Sequence, residues 1–276
     1  SVRDLRGMGI LPDAIICRSD YPVSDVIKEK IAFFCDVEHS GVVALPTVSN
    51  IYEVPLIIEE EGLGELIVDK LGLPRRAQDL TEWELLVAKT KAPKELLTVA
   101  VVGKYVDLHD SYISVREALH HAGLFFDREV EVSWVPSEEV EIYGADAYLS
   151  NACGIIVPGG FGPRGVEGML LAARYAREHQ VPYLGLCLGM QVMVVEFARS
   201  ILGLSNANST EFDQLTSDPV IDLMPDQQGV TGMGGTMRLG TYPCRLKEGS
   251  LAFRAYGVNE IQERHRHRFE FNNRYK

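Results

Sequence analysis

The sequence predicts an α/β protein whose larger, C-terminal part is a doubly wound parallel sheet, preceded by the end of a second α/β domain. Three observations carry this. Apolar strand-like runs alternate with helically spaced segments through both parts of the chain. A stretch rich in proline and charge, with no strand pattern of its own, separates them. The 276 residues, 46% of them hydrophobic, supply enough apolar material for one or two buried cores. The organisation expected is residues 1–73 as the end of the first domain, 74–96 as an interdomain linker, and 97–276 as the second domain.

In chain order, residues 13–17 (Asp-Ala-Ile-Ile-Cys) form a short β-rich run. Residues 24–34 show helical spacing with Ile27, Ile31 and Phe34 on one face, and 41–45 (Gly-Val-Val-Ala-Leu) form a second strand. This β-α-β order is that of a parallel pair. Residues 55–70 place Glu59, Glu60 and Glu61 on what reads as a solvated helix face. The linker holds one helical stretch around Trp83. Beyond it, 97–103 is a buried-strand run, 114–122 a helix, 129–135 and 154–158 strands and 166–179 a helix. A strand at 183–186 then leads into a helix from Leu188. The chain shows no internal repeat.

With 39 acidic against 27 basic residues, the formal charge of −12 argues against a protein that coats nucleic acid. A small anionic ligand stays compatible with a local cluster of basic side chains. Five cysteines at irregular spacing (Cys17, Cys35, Cys153, Cys187, Cys244) suggest neither a disulfide framework nor a zinc site, and a reducing cytoplasm is expected. The least polar stretch, Leu184 to Val195, contains Gln191 and runs into Glu196, too short and too polar for a membrane span.

The strongest chemical signal is Gly185-Leu186-Cys187-Leu188-Gly189-Met190-Gln191, set between an apolar strand and an apolar helix. G-x-C-x-G is the thiol form of a nucleophile elbow: flanking glycines permit the sharp turn that exposes the central side chain at the carboxyl edge of the sheet. A cysteine there also sits at a helix N-terminus, which favours the thiolate. The alternative, a small buried hydrophobe, suits the other four cysteines better. A second turn, Pro158-Gly159-Gly160-Phe161-Gly162, follows the preceding strand. Its N–H groups and that of Leu188 are candidates to face one oxyanion.

These two segments, together with Asn206-Ala207-Asn208-Ser209-Thr210-Glu211-Phe212, Gly234-Gly235-Thr236-Met237-Arg238-Leu239-Gly240 and Glu263-Arg264-His265-Arg266-His267-Arg268-Phe269-Glu270, resemble the class I glutamine amidotransferase domain of the CTP synthase family. The N-terminal Ile16-Cys17-Arg18-Ser19-Asp20 and Lys28-Glu29-Lys30-Ile31 resemble the end of that family's synthetase domain. The activity implied is ATP-dependent amination of UTP to CTP with ammonia taken from glutamine. Cys187 falls on the family's nucleophile, and Gly160 and Leu188 on positions whose N–H groups face the oxyanion. Gly189, Met190 and Gln191 complete the elbow lining the glutamine pocket. Glu211 and Arg268 match the glutamine-binding positions, where a carboxylate suits the α-ammonium and a guanidinium the α-carboxylate. Outside that context they read as a surface acid and a member of a solvated basic strand.

Arg164, Gly165 and Glu167 match the loop through which GTP activates glutamine hydrolysis in the family, or else form an exposed loop entering a helix. Lys30 matches a pyrimidine-nucleotide phosphate contact, or is a helix-surface lysine. Pro46, Thr47 and Val48 match the segment against the ATP base, but the sequence lacks the family's polar pair before Val48, so only backbone contacts carry over. His265 and His267 share a strand face without a carboxylate or thiol cluster beside them and read as structural; no metal site is expected within the chain.

The family's His-Pro-Glu motif and a G-x-x-x-x-G-K-[ST] phosphate loop are absent from the sequence, so the residues that would hold ATP phosphates and Mg²⁺ are not recognised. Ser1-Val2-Arg3-Asp4-Leu5-Arg6 reads as a helix already under way, and Asn272 to Lys276 shows no closing element. The expectation is an internal fragment that completes neither half-reaction alone, from a cytoplasmic parent forming a homotetramer and binding glutamine, UTP, ATP and GTP. Two alternatives stay open. One is another triad amidotransferase or a γ-glutamyl hydrolase; the other is a non-catalytic glutamine- or nucleotide-binding module.

Overall fold

The computed structural model describes residues 2–227, 229 and 238–276. Residues Gly234 to Met237, part of one family-like motif, lie outside the described residues. The chain forms two compact units that divide between Pro93 and Lys94, within the 74–96 segment.

The first unit runs α1 (Val2–Gly7), β1 (Ile15–Ser19), α2 (Asp25–Cys35), β2 (Val42–Pro46), α3 (Val54–Glu60), α4 (Leu63–Lys70) and α5 (Thr81–Lys91). β1 and β2 are parallel, with Ile15 opposite Val42 and Ser19 opposite Pro46. The first strand thus begins two residues later than the sequence suggests. On α2 the expected apolar face is packed only in part, since Ile27 and Phe34 are exposed and Ile31 is half-buried. The inward positions are Lys28 and Ala32, one turn apart: Ala32 is buried, and Lys28 Nζ reaches Glu61 Oε2 at 2.6 Å. Glu61 also accepts the Ala44 N–H at 2.9 Å, so the acidic run is not uniformly a solvated face. Burial raises the Glu61 pKa, but the bonds from Lys28 and Ala44 and the lysine charge outweigh it and leave the net shift downward. In α5 the indole N–H of Trp83 donates to the Tyr52 carbonyl at 2.8 Å, which ties this helix to the first unit.

The second unit is built on β3 (Glu95–Gly103), α6 (Ile113–Phe126), β4 (Arg128–Pro136), α7 (Ser137–Tyr143), α8 (Asp146–Leu149), β5 (Gly154–Val157), α9 (Val166–Glu178), β6 (Tyr183–Gly185) and α10 (Leu188–Ser200). Its sheet has the order β4-β3-β5-β6 with every pairing parallel. Alternate residues of β3 pack into different clusters. Ala100 and Val102 join Val157, Met169 and Leu188, while Val99 and Val101 join Ile156, Val115 and Leu119. Helices therefore cover both faces, as a doubly wound sheet requires. From β3 the chain passes to β4 on one side, then returns to β5 and β6 on the other. That reversal opens a crevice at the carboxyl ends of β3 and β5, the place where such sheets bind ligands.

The rest of the unit comprises β7 (Ala207–Ser209), β8 (Asp218–Leu223), β9 (Arg238–Arg245), α11 (Leu251–Tyr256), β10 (Glu260–His267) and β11 (Phe269–Phe271). β8 pairs with β7 in parallel and with β11 antiparallel, whereas β9 and β10 form a separate antiparallel pair. The basic segment expected as one strand is therefore two, belonging to different sheets, and Arg268 is the residue between them.

Candidate functional site

The elbow is formed as the glycine spacing predicts. Cys187 adopts φ 55°, ψ −106°, a conformation a non-glycine residue holds only when its surroundings enforce it, at a cost of about 1–3 kcal/mol. The enforcement is visible at both glycines. A Cβ on Gly185 would overlap the Gly189 backbone, and one on Gly189 would overlap the Val157 carbonyl oxygen. Leu186 N–H donates to that same carbonyl at 2.9 Å, and Tyr183 Oη donates to the Gly189 carbonyl at 2.9 Å. Strand, turn and the first turn of α10 are thus locked together, with Cys187 as the residue before a helix of 13 residues.

The turn after β5 lies against the sulfur. A Cβ on Gly159 would stand 3.7 Å from Cys187 Sγ. Burial pushes the thiol pKa above its ordinary value, and the Glu211 charge adds to this. The N–H groups of Leu188 and Gly160 reach the sulfur and oppose the rise without reversing it. The thiolate preference expected from the helix terminus is therefore outweighed by lost hydration. The two N–H groups that reach the sulfur belong to the residues the family resemblance matches to oxyanion donors.

A cavity of about 450 Å³ opens beside Cys187. It is lined by Gly160, Cys187, Gln191, Glu211 and Arg268 among the residues singled out in the sequence, and by Phe161, Thr210, Gln214, Arg266, His267 and Phe269. Glu211 Oε1 accepts the Gly162 N–H at 2.8 Å. Arg268 Nη1 donates to Gln227 Oε1 at 3.2 Å, and Gln191 Nε2 donates to the Phe269 carbonyl at 3.2 Å. A carboxylate and a guanidinium thus face one space with a nucleophile. Leu188 and Gly189 serve the site through their backbone: the Leu188 side chain is buried in the core, and Gly189 packs against β5. Met190 is half-buried and does not line the cavity. His267, read from sequence as structural, does line it, with its ring edge-on to that of His265 at 5.4 Å.

One contributor escaped the sequence reading. Lys104, the first residue after β3, is 5% exposed, and its Nζ donates to the carbonyls of Phe161, at 3.1 Å, and of Gly162. Burial lowers its pKa to about 8, with Arg164 pulling the same way and Glu211 and Glu138 opposing. The available signal was a cation placed directly after the apolar end of a strand, Val99 to Gly103, at the edge where ligands bind.

Arg164 pairs with Glu138, donates to the Lys104 carbonyl at 2.9 Å and lies over the Tyr105 ring. Glu167 pairs with Arg199 at 3.2 Å. Gly165 has φ 65°, and a Cβ there would overlap Ser137 Oγ. In the first unit Lys30 is exposed on α2, Pro46 ends β2, and Thr47 Oγ1 donates to Asp20 Oδ1 at 2.6 Å, with Val48 directly following. Among the described residues no group of three or more His, Cys, Asp or Glu side chains could hold a metal ion, and no helix is long and apolar enough to cross a membrane.

Comparison with known proteins gives the same assignment. The family model described as glutamine amidotransferase class-I matches residues 107–276, and that described as CTP synthase N-terminus matches residues 1–73. CTP synthase of Roseiflexus castenholzii is 58% identical over 100% of this chain and 50% of its own length, and that of Chloroflexus aurantiacus 56% identical over the same shares. The chain spans about half the length of these curated relatives. The solved glutaminase domain of Trypanosoma brucei CTPS, with bound acivicin, aligns with a TM-score of 0.60 at 38% identity, covering 65% of this chain and 69% of that one. By sequence match, fold and the arrangement around Cys187, the chain belongs to the class-I glutamine amidotransferase family.

Proposed function

We propose that this chain carries the glutamine-hydrolysing site of an enzyme that aminates UTP to CTP. The observation that carries the reading is the convergence of Cys187, the N–H groups of Gly160 and Leu188, Glu211 and Arg268 on one cavity. Arg268 would pair with the α-carboxylate of glutamine and Glu211 with its α-ammonium, which directs the side-chain amide toward Cys187. The thiolate sulfur bonds to the amide carbon, and the carbonyl oxygen takes the negative charge facing the two N–H groups. The C–N bond then breaks as the nitrogen takes up the proton that the Cys187 thiol gave up, and it leaves as ammonia. Water attacks the glutamyl thioester, releasing glutamate and restoring the sulfur. ATP transfers a phosphoryl group to the 4-oxygen of UTP, and ammonia then bonds to that carbon while the oxygen leaves as inorganic phosphate.

The match of residues 1–73 to the CTP synthase N-terminus and the names of the full-chain relatives support the synthetase half of this reading. In the same reading Lys30 contacts the UTP phosphates, and the backbone of Pro46, Thr47 and Val48 lies along the ATP base. Mg²⁺ accompanies the ATP, and GTP acts through Arg164, Gly165 and Glu167. The parent is a cytoplasmic homotetramer. The test is Cys187→Ala in the intact enzyme: glutamine-dependent CTP formation is lost while ammonia-dependent formation continues. Retention of the glutamine-dependent reaction overturns the assignment of the nucleophile.

A further inference from the structure

We propose that Lys104 is a positioning residue for the glutaminase site, holding the Gly160 N–H and the Glu211 carboxylate in register with Cys187. This rests on the glutaminase reading above and extends it to a side chain outside the elbow and outside the glutamine-binding set.

Lys104 stands at the end of the central strand, in the crevice created by the reversal of strand order. A lysine is seldom buried this deeply unless its ammonium has partners. Here the partners are the carbonyls of Phe161 and Gly162. The same five-residue turn holds two groups the chemistry needs. Gly160 N–H reaches Cys187 Sγ, and Gly162 N–H donates to Glu211 Oε1 at 2.8 Å. The aliphatic stem forms the floor beneath Gly160, where an added Cβ would lie 3.3 Å from Lys104 Cδ. The ammonium sits 5.8 Å from the centre of the Phe212 ring, next to Glu211.

The Phe161 carbonyl and the Gly162 N–H belong to one trans peptide and point opposite ways, so the Lys104 bond to that carbonyl turns the Gly162 N–H toward Glu211, while the Lys104 stem packs under Gly160. Lys104 therefore sets the orientation of the turn, and Glu211 is held through the Gly162 N–H. Loss of the ammonium frees the turn to rotate. The oxyanion donor and the amino-acid anchor then move together.

The test uses the 276-residue chain and a chloromethyl-ketone analogue of glutamine, whose chloride the Cys187 thiolate displaces to leave a thioether. Iodoacetamide, which needs neither anchor nor oxyanion donor, serves as the reference reagent. Lys104→Met is expected to slow inactivation by the analogue about tenfold or more, because misplacing reacting groups by an ångström costs on the order of 100-fold. Both the maximal rate and the half-saturating concentration should worsen. Iodoacetamide labelling of Cys187, compared at a pH above the thiol midpoint of both proteins so that Gly160 N–H and Glu211 no longer set the thiolate fraction, should stay within about twofold. Equal rates in wild type and variant, or a parallel loss with both reagents, overturn the proposal. If Lys104→Met does not fold, Lys104→Gln is measured the same way against the same outcomes. The underlying reading fails separately: the wild-type chain would then react with the analogue no faster than with chloroacetone, and glutamine would not protect it.

Discussion

At the residue scale the decisive question is the protonation of Cys187. Its helix-terminal place pulls the thiol toward ionisation, but burial pushes the other way, the Glu211 charge adds to burial, and these prevail. The rate of iodoacetamide labelling at Cys187, followed by peptide mass spectrometry against pH, should have its midpoint above 9.0, the ordinary value. Glu211→Gln removes a nearby negative charge while retaining an acceptor for Gly162 N–H, so the midpoint should move down. A wild-type midpoint below 9.0, or an upward move in the variant, would show that the balance of burial and charge has been misjudged. Cys187 was legible from its own local pattern, whereas Glu211 and Arg268 were singled out only through the family resemblance, since neither sits in a pattern that announces its chemistry. Lys104 was not, because its partners lie 57 and 58 residues away in sequence and no local pattern announces them. His267 was underread for a related reason. Alternation along β10 places it on a face, but the end of β10 reaching the cavity, with Arg266 to Phe269 all lining it, is not visible in that alternation.

At the scale of elements, the elbow shows how one backbone turn depends on two missing side chains. Gly189 sits against the Val157 carbonyl of β5, and the first turn of α10 lies at van der Waals distance from the sheet. Gly189→Ala must push α10 away from β5 or abandon the Cys187 conformation. Overpacking of this kind predicts a loss of about 2 kcal/mol or more in urea unfolding, together with loss of Cys187 labelling by the glutamine analogue. A variant with wild-type stability and labelling would mean that the helix approaches the sheet less closely than described. In the second unit the four strands of the β3–β6 sheet and helices α6, α9 and α10 were legible, with boundaries moved by at most a few residues, whereas α7, α8 and, apart from one basic strand, the elements after α10 were not, since they are short and lack a sustained apolar period. The first unit was less legible. Its packed helix face uses Lys28 and Ala32, a polar and a small residue, while the apolar Ile27 and Phe34 point outward, so hydrophobic periodicity indicated a side that is packed only in part.

At the scale of the whole chain, the two units differ in how much core they possess. The first buries Ala32, Val42, Val43, Leu63 and Val87, and it leaves Phe33, Phe34, Leu71 and Leu73 exposed. The second buries a continuous cluster drawn from the sheet and from α9 and α10, with Leu149, Ile155, Met169, Leu188 and Ile221 fully enclosed. Hydrophobic stabilisation scales with the apolar area removed from water, at about 25 cal/mol per Å², so the first unit has far less to set against its chain entropy. It should unfold at lower denaturant than the second. The chain's two tryptophans divide between the units and make this measurable. Trp83 lies in α5 of the first, bonded to the Tyr52 carbonyl, and Trp134 lies in β4 of the second, stacked on Tyr112 at 6.3 Å. In Trp134→Phe, fluorescence should report a transition at low urea with a shallow slope. In Trp83→Phe it should report a later and steeper one, because the slope follows the surface exposed. Circular dichroism of the unsubstituted chain should show both steps. Coincident transitions from the two probes would mean that the units fold as one cooperative body, and the weak core of the first would then require support beyond its own residues.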